Sequence, residues 1–169
     1  MIEARYYDRN LLIESVVNSK GCTLKVDTGA QLTIMSINKL VAEPLIHTIT
    51  NKLESKSRVL AYSASGHELK GVFCKFENVL LDATKLEFLY VGLILYSSID
   101  TALLGLDFLQ GCTISHSAGG NMFIESVDCS YQEKVIKDIY GNCDEIYTID
   151  EILSMCNIED SFNILKSLV

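Results

Sequence analysis

The residues best placed to do chemistry in this chain are Asp27, Thr28 and Gly29. They follow the run Cys22-Thr23-Leu24-Lys25-Val26 and precede Ala30-Gln31-Leu32-Thr33-Ile34-Met35-Ser36. Apolar residues at every second position mark a half-buried strand, so the carboxylate stands where that strand enters a turn. At the edge of an apolar interior, burial and neighbouring charge set how tightly a carboxyl group holds its proton. A threonine hydroxyl can donate one hydrogen bond and accept others. A glycine, lacking Cβ, lets a second backbone or a substrate come close. Such a set suits acid–base hydrolysis of an amide by paired carboxyl groups, one holding a proton while the other takes one from water.

The pair needs a second carboxylate, and a second Asp-Thr/Ser-Gly does not occur in the sequence. Asp100-Thr101-Ala102 comes nearest, but it lacks the glycine and leads into an apolar run instead of following one. The expectation is a homodimer in which each subunit supplies one Asp27.

Composition narrows the class. A chain of 169 residues can bury one sizeable core, and 49% hydrophobic content argues against disorder. The net charge of −8, without any basic block, makes nucleic acid an unexpected partner. The six cysteines (22, 74, 112, 129, 143 and 156) form no C-x-x-C pair and no metal-spaced cluster with His47, His67 or His116. They read as reduced core residues of a cytoplasmic protein, with no metal and no cofactor expected. The charged N-terminus is unlike a secretory signal, and the longest uncharged apolar stretch, residues 88–99, falls short of the ~20 residues that cross a bilayer. No membrane association is expected.

The elements that must position Asp27 read as follows. Strands are expected at residues 11–17 and 22–26 around an Asn18-Ser19-Lys20-Gly21 turn. A short helix over residues 36–42 stops near Pro44. Strands at 58–62 and 68–76 flank the turn-forming Ser63-Ala64-Ser65-Gly66. Further strands fall at 79–81 and 86–95, the latter buried on both faces. A buried strand from Thr101 reaches Gly105 and a short helix, and a hairpin joins 112–116 to 121–125. After Ser126 the pattern turns helical at 131–140. Thr148 and Glu151 then form a capping box ahead of a helix over 148–156. Asn157 caps a last helix carrying Ile158, Phe162, Leu165 and Leu168 on one side. The chain therefore divides into a mainly β domain, 1–126, and an α-helical C-terminal extension, 127–169.

Several of these pieces occur together, in order, in one family. Val26-Asp27-Thr28-Gly29-Ala30-Gln31-Leu32-Thr33-Ile34-Met35-Ser36 is followed by a hairpin whose return strand holds Gly66-His67-Glu68-Leu69-Lys70-Gly71-Val72. Ala102-Leu103-Leu104-Gly105-Leu106-Asp107-Phe108-Leu109 and Cys112-Thr113-Ile114 complete the set. Over residues 10–125 the chain resembles the retropepsins, the dimeric retroviral-type aspartic peptidases, and most closely the protease domain of the DNA-damage-inducible ubiquitin-shuttle proteins. The resemblance implies a closed barrel-like lobe in each subunit, the two lobes meeting at the Asp-Thr-Gly loops. It implies Asp27 as the catalytic residue, Thr28 as a cross-dimer hydrogen-bonding partner and Gly29 as part of the cleft floor. Ala30, Gln31, Leu104 and Gly105 would border the substrate, and Tyr62, Ser63, Ala64, Ser65 and Gly66 would form a flap over it. A peptide or protein is the implied substrate. Gln31 replaces the Asp common in retroviral enzymes, as in the shuttle-protein relatives, and the flap tip holds less glycine than viral flaps. The tail has no family counterpart. The competing expectation is a retropepsin-fold dimerisation or peptide-binding module without turnover.

Overall fold

The computed structural model describes residues 1–95, 100–140 and 146–155. Cys143, Cys156 and the expected last helix beginning at Asn157 lie outside the described residues, as do the last residues of the apolar stretch 88–99.

Strands β1 (Ile2–Tyr7), β2 (Asn10–Val17) and β3 (Lys20–Val26) form an antiparallel meander. Its turns, Asp8-Arg9 and Asn18-Ser19, hold positive φ at both residues, the hairpin geometry whose twist matches that of the strands. Along β3, Cys22, Leu24 and Val26 face the core while the residues between them are exposed. After the loop come β4 (Ile34–Ser36), a single 3-10 turn, and helix α1 (Glu43–Leu53). A hairpin of β5 (Arg58–Tyr62) and β6 (Glu68–Phe76) follows, then β7 (Val79–Leu81), β8 (Thr84–Leu86) and β9 (Leu89–Ile94). All six residues of β9 are buried. Next stand β10 (Ala102–Leu104), the short helix α2 (Leu106–Leu109) and the hairpin β11 (Cys112–His116)–β12 (Met122–Val127). The chain continues through α3 (Cys129–Tyr140), β13 (Ile146–Thr148) and α4 (Ile149–Leu153).

The strands make one mainly β sheet, and that sheet is open, which corrects the expectation of a closed barrel. Its order is β11-β12-β1-β2-β3-β10-β4-β9-β6-β13, with β11 and β13 as unjoined ends. The physical reason lies in two branch points. On the side of β2 away from β3, pairing is divided between β1 at Asn10–Leu12 and β7 at Ser15–Val17. On the side of β6 away from β9, β5 pairs up to Gly71 and β13 pairs from Phe73 onward. Each short strand covers only part of a neighbour, so the ladder branches at β2 and β6 and does not run on as the continuous edge that a barrel needs to close.

Two further expectations are corrected. The helix expected over 36–42 shrinks to the 3-10 turn Ile37–Lys39, and Pro44 opens helix α1 instead of stopping one. A first-turn proline loses nothing, because its missing N–H would have had no helical acceptor. The tail is also more than helices. Its β13 lies parallel to β6 (Ile146↔Phe73, Tyr147↔Cys74), and the Thr148–Glu151 capping box then starts α4.

The core lies between the sheet and α1. Leu24, Met35, Phe76, Leu81 and Leu104 share one apolar cluster with Ile49 and Leu53 of α1, all almost fully buried. Among the described residues no helix is long and apolar enough to cross a membrane.

Candidate active site

The loop of residues 27–33 leaves β3 and returns as β4, and β10 threads between those two strands. β10 runs parallel to β3 (Leu104↔Val26) and antiparallel to β4 (Leu103↔Ile34). The Asp27 N–H donates to Leu104 O at 3.0 Å, so the backbone of Asp27 is fixed by the strand beside it. Its side chain turns back on the loop, where Oδ1 accepts from the Gly29 N–H at 2.9 Å. Ala30 N–H closes the turn on Asp27 O at 3.1 Å. Asp27 is half-buried, while Thr28 and Gly29 are exposed.

Gly105 shows why a glycine is needed at the crossing. A Cβ there would lie 2.5 Å from Leu32 O and 2.9 Å from Ala30 O, both backbone atoms unable to swing aside. Its N–H donates to Thr33 Oγ1 at 3.1 Å. The following N–H groups continue the seam, Leu106 to Ala30 O at 2.9 Å and Asp107 to Gln31 O at 3.0 Å. The Gly-Leu-Asp segment is therefore the splint to which the 27–33 loop is bonded.

Behind the splint sits a second carboxylate, Asp107, only 2% exposed. Thr33 Oγ1 donates to its Oδ1 at 2.8 Å and Gln132 Nε2 to its Oδ2 at 2.9 Å. Burial pushes the Asp107 carboxyl above the usual carboxylate range, opposed by hydrogen bonds from Gln132, Thr33 and the backbone.

In front of Asp27 lies a cleft of about 720 Å³. Its floor is Asp27, Gly29, Ala30 and Gln31, and its walls are Leu32, Ile34, Val59, Leu60, Leu69, Thr101 and Leu103. Ala61, Tyr62, Ser63 and Ala64, from the β5–β6 hairpin, complete it. The hairpin tip is a tight turn: Gly66 N–H donates to Ser63 O at 2.9 Å, and Gly66 holds φ +85°, a left-handed conformation costly for other residues. Tyr62 is 66% exposed. Of the residues singled out in sequence, Asp27, Gly29, Ala30, Gln31, Tyr62, Ser63 and Ala64 line the cleft; Thr28, Ser65, Gly66, Leu104 and Gly105 stand outside its lining.

Comparison with solved structures adds a likeness. The fold is similar to that of a retropepsin-like aspartic protease from Rickettsia conorii. Identity is 17% and the TM-score 0.46, over 76% of this chain and 90% of that chain. No family model and no curated protein matches the sequence, and nothing supports the narrower likeness to the ubiquitin-shuttle protease domain.

Among the described residues other nucleophiles and ligand sets are poorly placed. Cys22, Cys74, Cys112 and Cys129 are free thiols. Burial raises the first three, Cys112 to about 12, so these stay protonated and unreactive. Among the described residues no group of three or more His, Cys, Asp or Glu could hold a metal ion. Sequence reasoning passed over Gln132, whose signal was a polar residue four before Ile136 on the buried stripe of α3.

Proposed function

We propose that the chain is one half of an aspartic endopeptidase, completed by Asp27 of a second copy. The observation that carries this reading is the position of Asp27: among the described residues it is the one carboxylate lining a cleft with largely aliphatic walls, beneath a hairpin able to cover a bound strand. Thr28, exposed beside it, is free to face a second loop. In the proposed reaction one carboxylate of the pair takes a proton from water as the oxygen attacks the peptide carbonyl, while the protonated partner gives its proton to the carbonyl oxygen, so that a tetrahedral diol forms. The carboxyl that took the water proton then donates it to the departing nitrogen, the partner recovers a proton from a diol hydroxyl, and the carbon–nitrogen bond breaks. The aliphatic cleft walls favour an apolar substrate side chain beside the scissile bond. We read residues 1–126 as the catalytic domain and 127–169 as its extension, working in the cytoplasm, where free thiols persist.

The test is digestion of a proteome-derived peptide library by wild type and Asp27→Asn side by side. Wild type is expected to cut at apolar positions and to be blocked by a statine-type mimic of the diol. Asp27→Asn is expected to lose cleavage while keeping its far-UV spectrum. Equal cleavage by both proteins would refute the assignment. A dimer that binds peptides without cutting them would favour the binding-module reading.

A further inference from the structure

The sheet leaves a gap in its hydrogen bonding beside the Asp27 loop, and the tail fills it. Along β9, Gly92 N–H donates to Thr33 O at 2.9 Å, and β4 begins at Ile34, opposite Gly92. Two residues earlier, Tyr90 presents its own N–H and C=O on that side, where β4 no longer runs alongside. Gln132 of α3 takes both groups: its Oε1 accepts from Tyr90 N–H at 2.9 Å and its Nε2 donates to Tyr90 O at 2.8 Å. The amide thus stands in for the missing strand. The second Nε2 proton goes to Asp107 Oδ2, so the primary amide uses both of its donors. Gln132 is 1% exposed, and an amide buried this deeply is costly unless so satisfied.

We propose that Gln132 is a positioning residue, through which helix α3 holds the 27–33 loop in its working shape. The route is a short chain of hydrogen bonds. Gln132 fixes Asp107; Asp107 Oδ1 fixes the Thr33 hydroxyl; that hydroxyl receives the Gly105 N–H; and the Asp107 N–H holds Gln31 O on the cleft floor. Gln132 does not line the cleft and touches no substrate. Its neighbour Glu133 supplies the contrast. Glu133 anchors the same helix to β9 through the Tyr90 hydroxyl (2.6 Å) and to β6 through Lys75 (3.7 Å), but stands outside the Asp107 chain.

The role of the loop rests on the reading of Asp27 as catalytic, so the test has one arm that needs turnover and one that does not. Full-length wild type, Gln132→Leu and Glu133→Ala are compared. In the first arm, amide hydrogen exchange is followed at Gly105 and Asp107. Gln132→Leu is expected to speed both by about tenfold or more, with the β11–β12 amides unchanged, and Glu133→Ala to leave Gly105 and Asp107 at wild-type rates. In the second arm, Gln132→Leu is expected to lower kcat about tenfold with KM within about twofold, and Glu133→Ala to leave kcat unaltered. Unchanged exchange at Gly105 and Asp107 in Gln132→Leu, or an equal rise in Glu133→Ala, overturns the proposal. A wild type that exchanges as described but cuts no peptide sinks the Asp27 reading and leaves the brace standing. Should Gln132→Leu not fold, Gln132→Glu keeps the acceptor for Tyr90, sets a carboxylate against Asp107, and carries the same expectations.

Discussion

Asp27 opens the 27–33 loop and Asp107 secures its far end, and the fold treats the two carboxylates in opposite ways. Asp107 is sealed from water, and both of its oxygens accept from side chains brought from Thr33 and Gln132. Asp27 is half-buried and faces a cleft, with one oxygen engaged by the Gly29 N–H two residues on. A carboxylate whose lone pairs are all taken by its own chain can only hold structure. One that keeps an oxygen turned toward a cleft can exchange protons with whatever enters it. The difference separates scaffold from reagent although both residues belong to sequence motifs of similar appearance.

The comparison breaks most visibly on stability. Asp107→Ala removes the acceptor for two buried donors and is expected to cost about 3 kcal/mol, read as a drop in urea midpoint. Asp27→Ala loses a single exposed turn contact, and its expected cost is within about 1 kcal/mol. Equal losses in the two variants would mean that Asp27 is as structural as Asp107.

These roles were unevenly legible in the sequence. The alternation of Cys22, Leu24 and Val26 gave away β3 because one of its faces is solvated, and the Asp-Thr-Gly turn follows directly from it. The same logic found β9, whose unbroken apolar run reflects burial on both faces. Pro44 misled because a proline ends a helix at most positions but starts one in the first turn, and sequence alone does not say which turn it occupies. Strands β4 and β13 are three residues long, too short to show a period, and depend on partners far away in the chain. Closure of the sheet was beyond reach for a related reason: it turns on which short strands compete for the open edges of β2 and β6. Thr33 meets Asp107 across 74 residues, a contact that no local pattern encodes.

A smaller effect sharpens the comparison by replacing Asp27 with Glu133, the carboxylate on the other side of Gln132. Because burial raises Asp107 above its ordinary 3.8, its contribution to stability is fully present below that value. It is lost as pH rises through the raised folded-state value. Glu133 runs the other way. The hydrogen bond from the Tyr90 hydroxyl, followed by Lys137 and Lys75, lowers it below 4.5. Its contribution is present above that value and is lost as pH falls through the lowered one. Urea midpoints measured between about pH 3 and 7 should therefore diverge. Relative to wild type, Asp107→Asn gains ground as pH rises, whereas Glu133→Gln gains ground as pH falls. Parallel curves for the two variants would show that the two environments do not differ in sign.

The smallest effect concerns a polar group that the fold leaves without the treatment Asp107 receives. Thr50, on the buried face of α1, is 0% exposed, and its Oγ1 has no hydrogen-bond partner among the described residues. A buried hydroxyl in that state has given up its water without recovering the bond, whereas a methyl group in its place has nothing to recover. Valine matches the branching of threonine and differs little from it in helix propensity, so the exchange alters polarity more than shape. Thr50→Val is expected to raise stability by about 1 kcal/mol, measured as an upward shift in urea midpoint at unchanged slope. A loss of similar size would mean that the hydroxyl finds an acceptor in solution, the preceding helical turn being within its reach. Thr50 would then stand with Asp107 as a satisfied buried group.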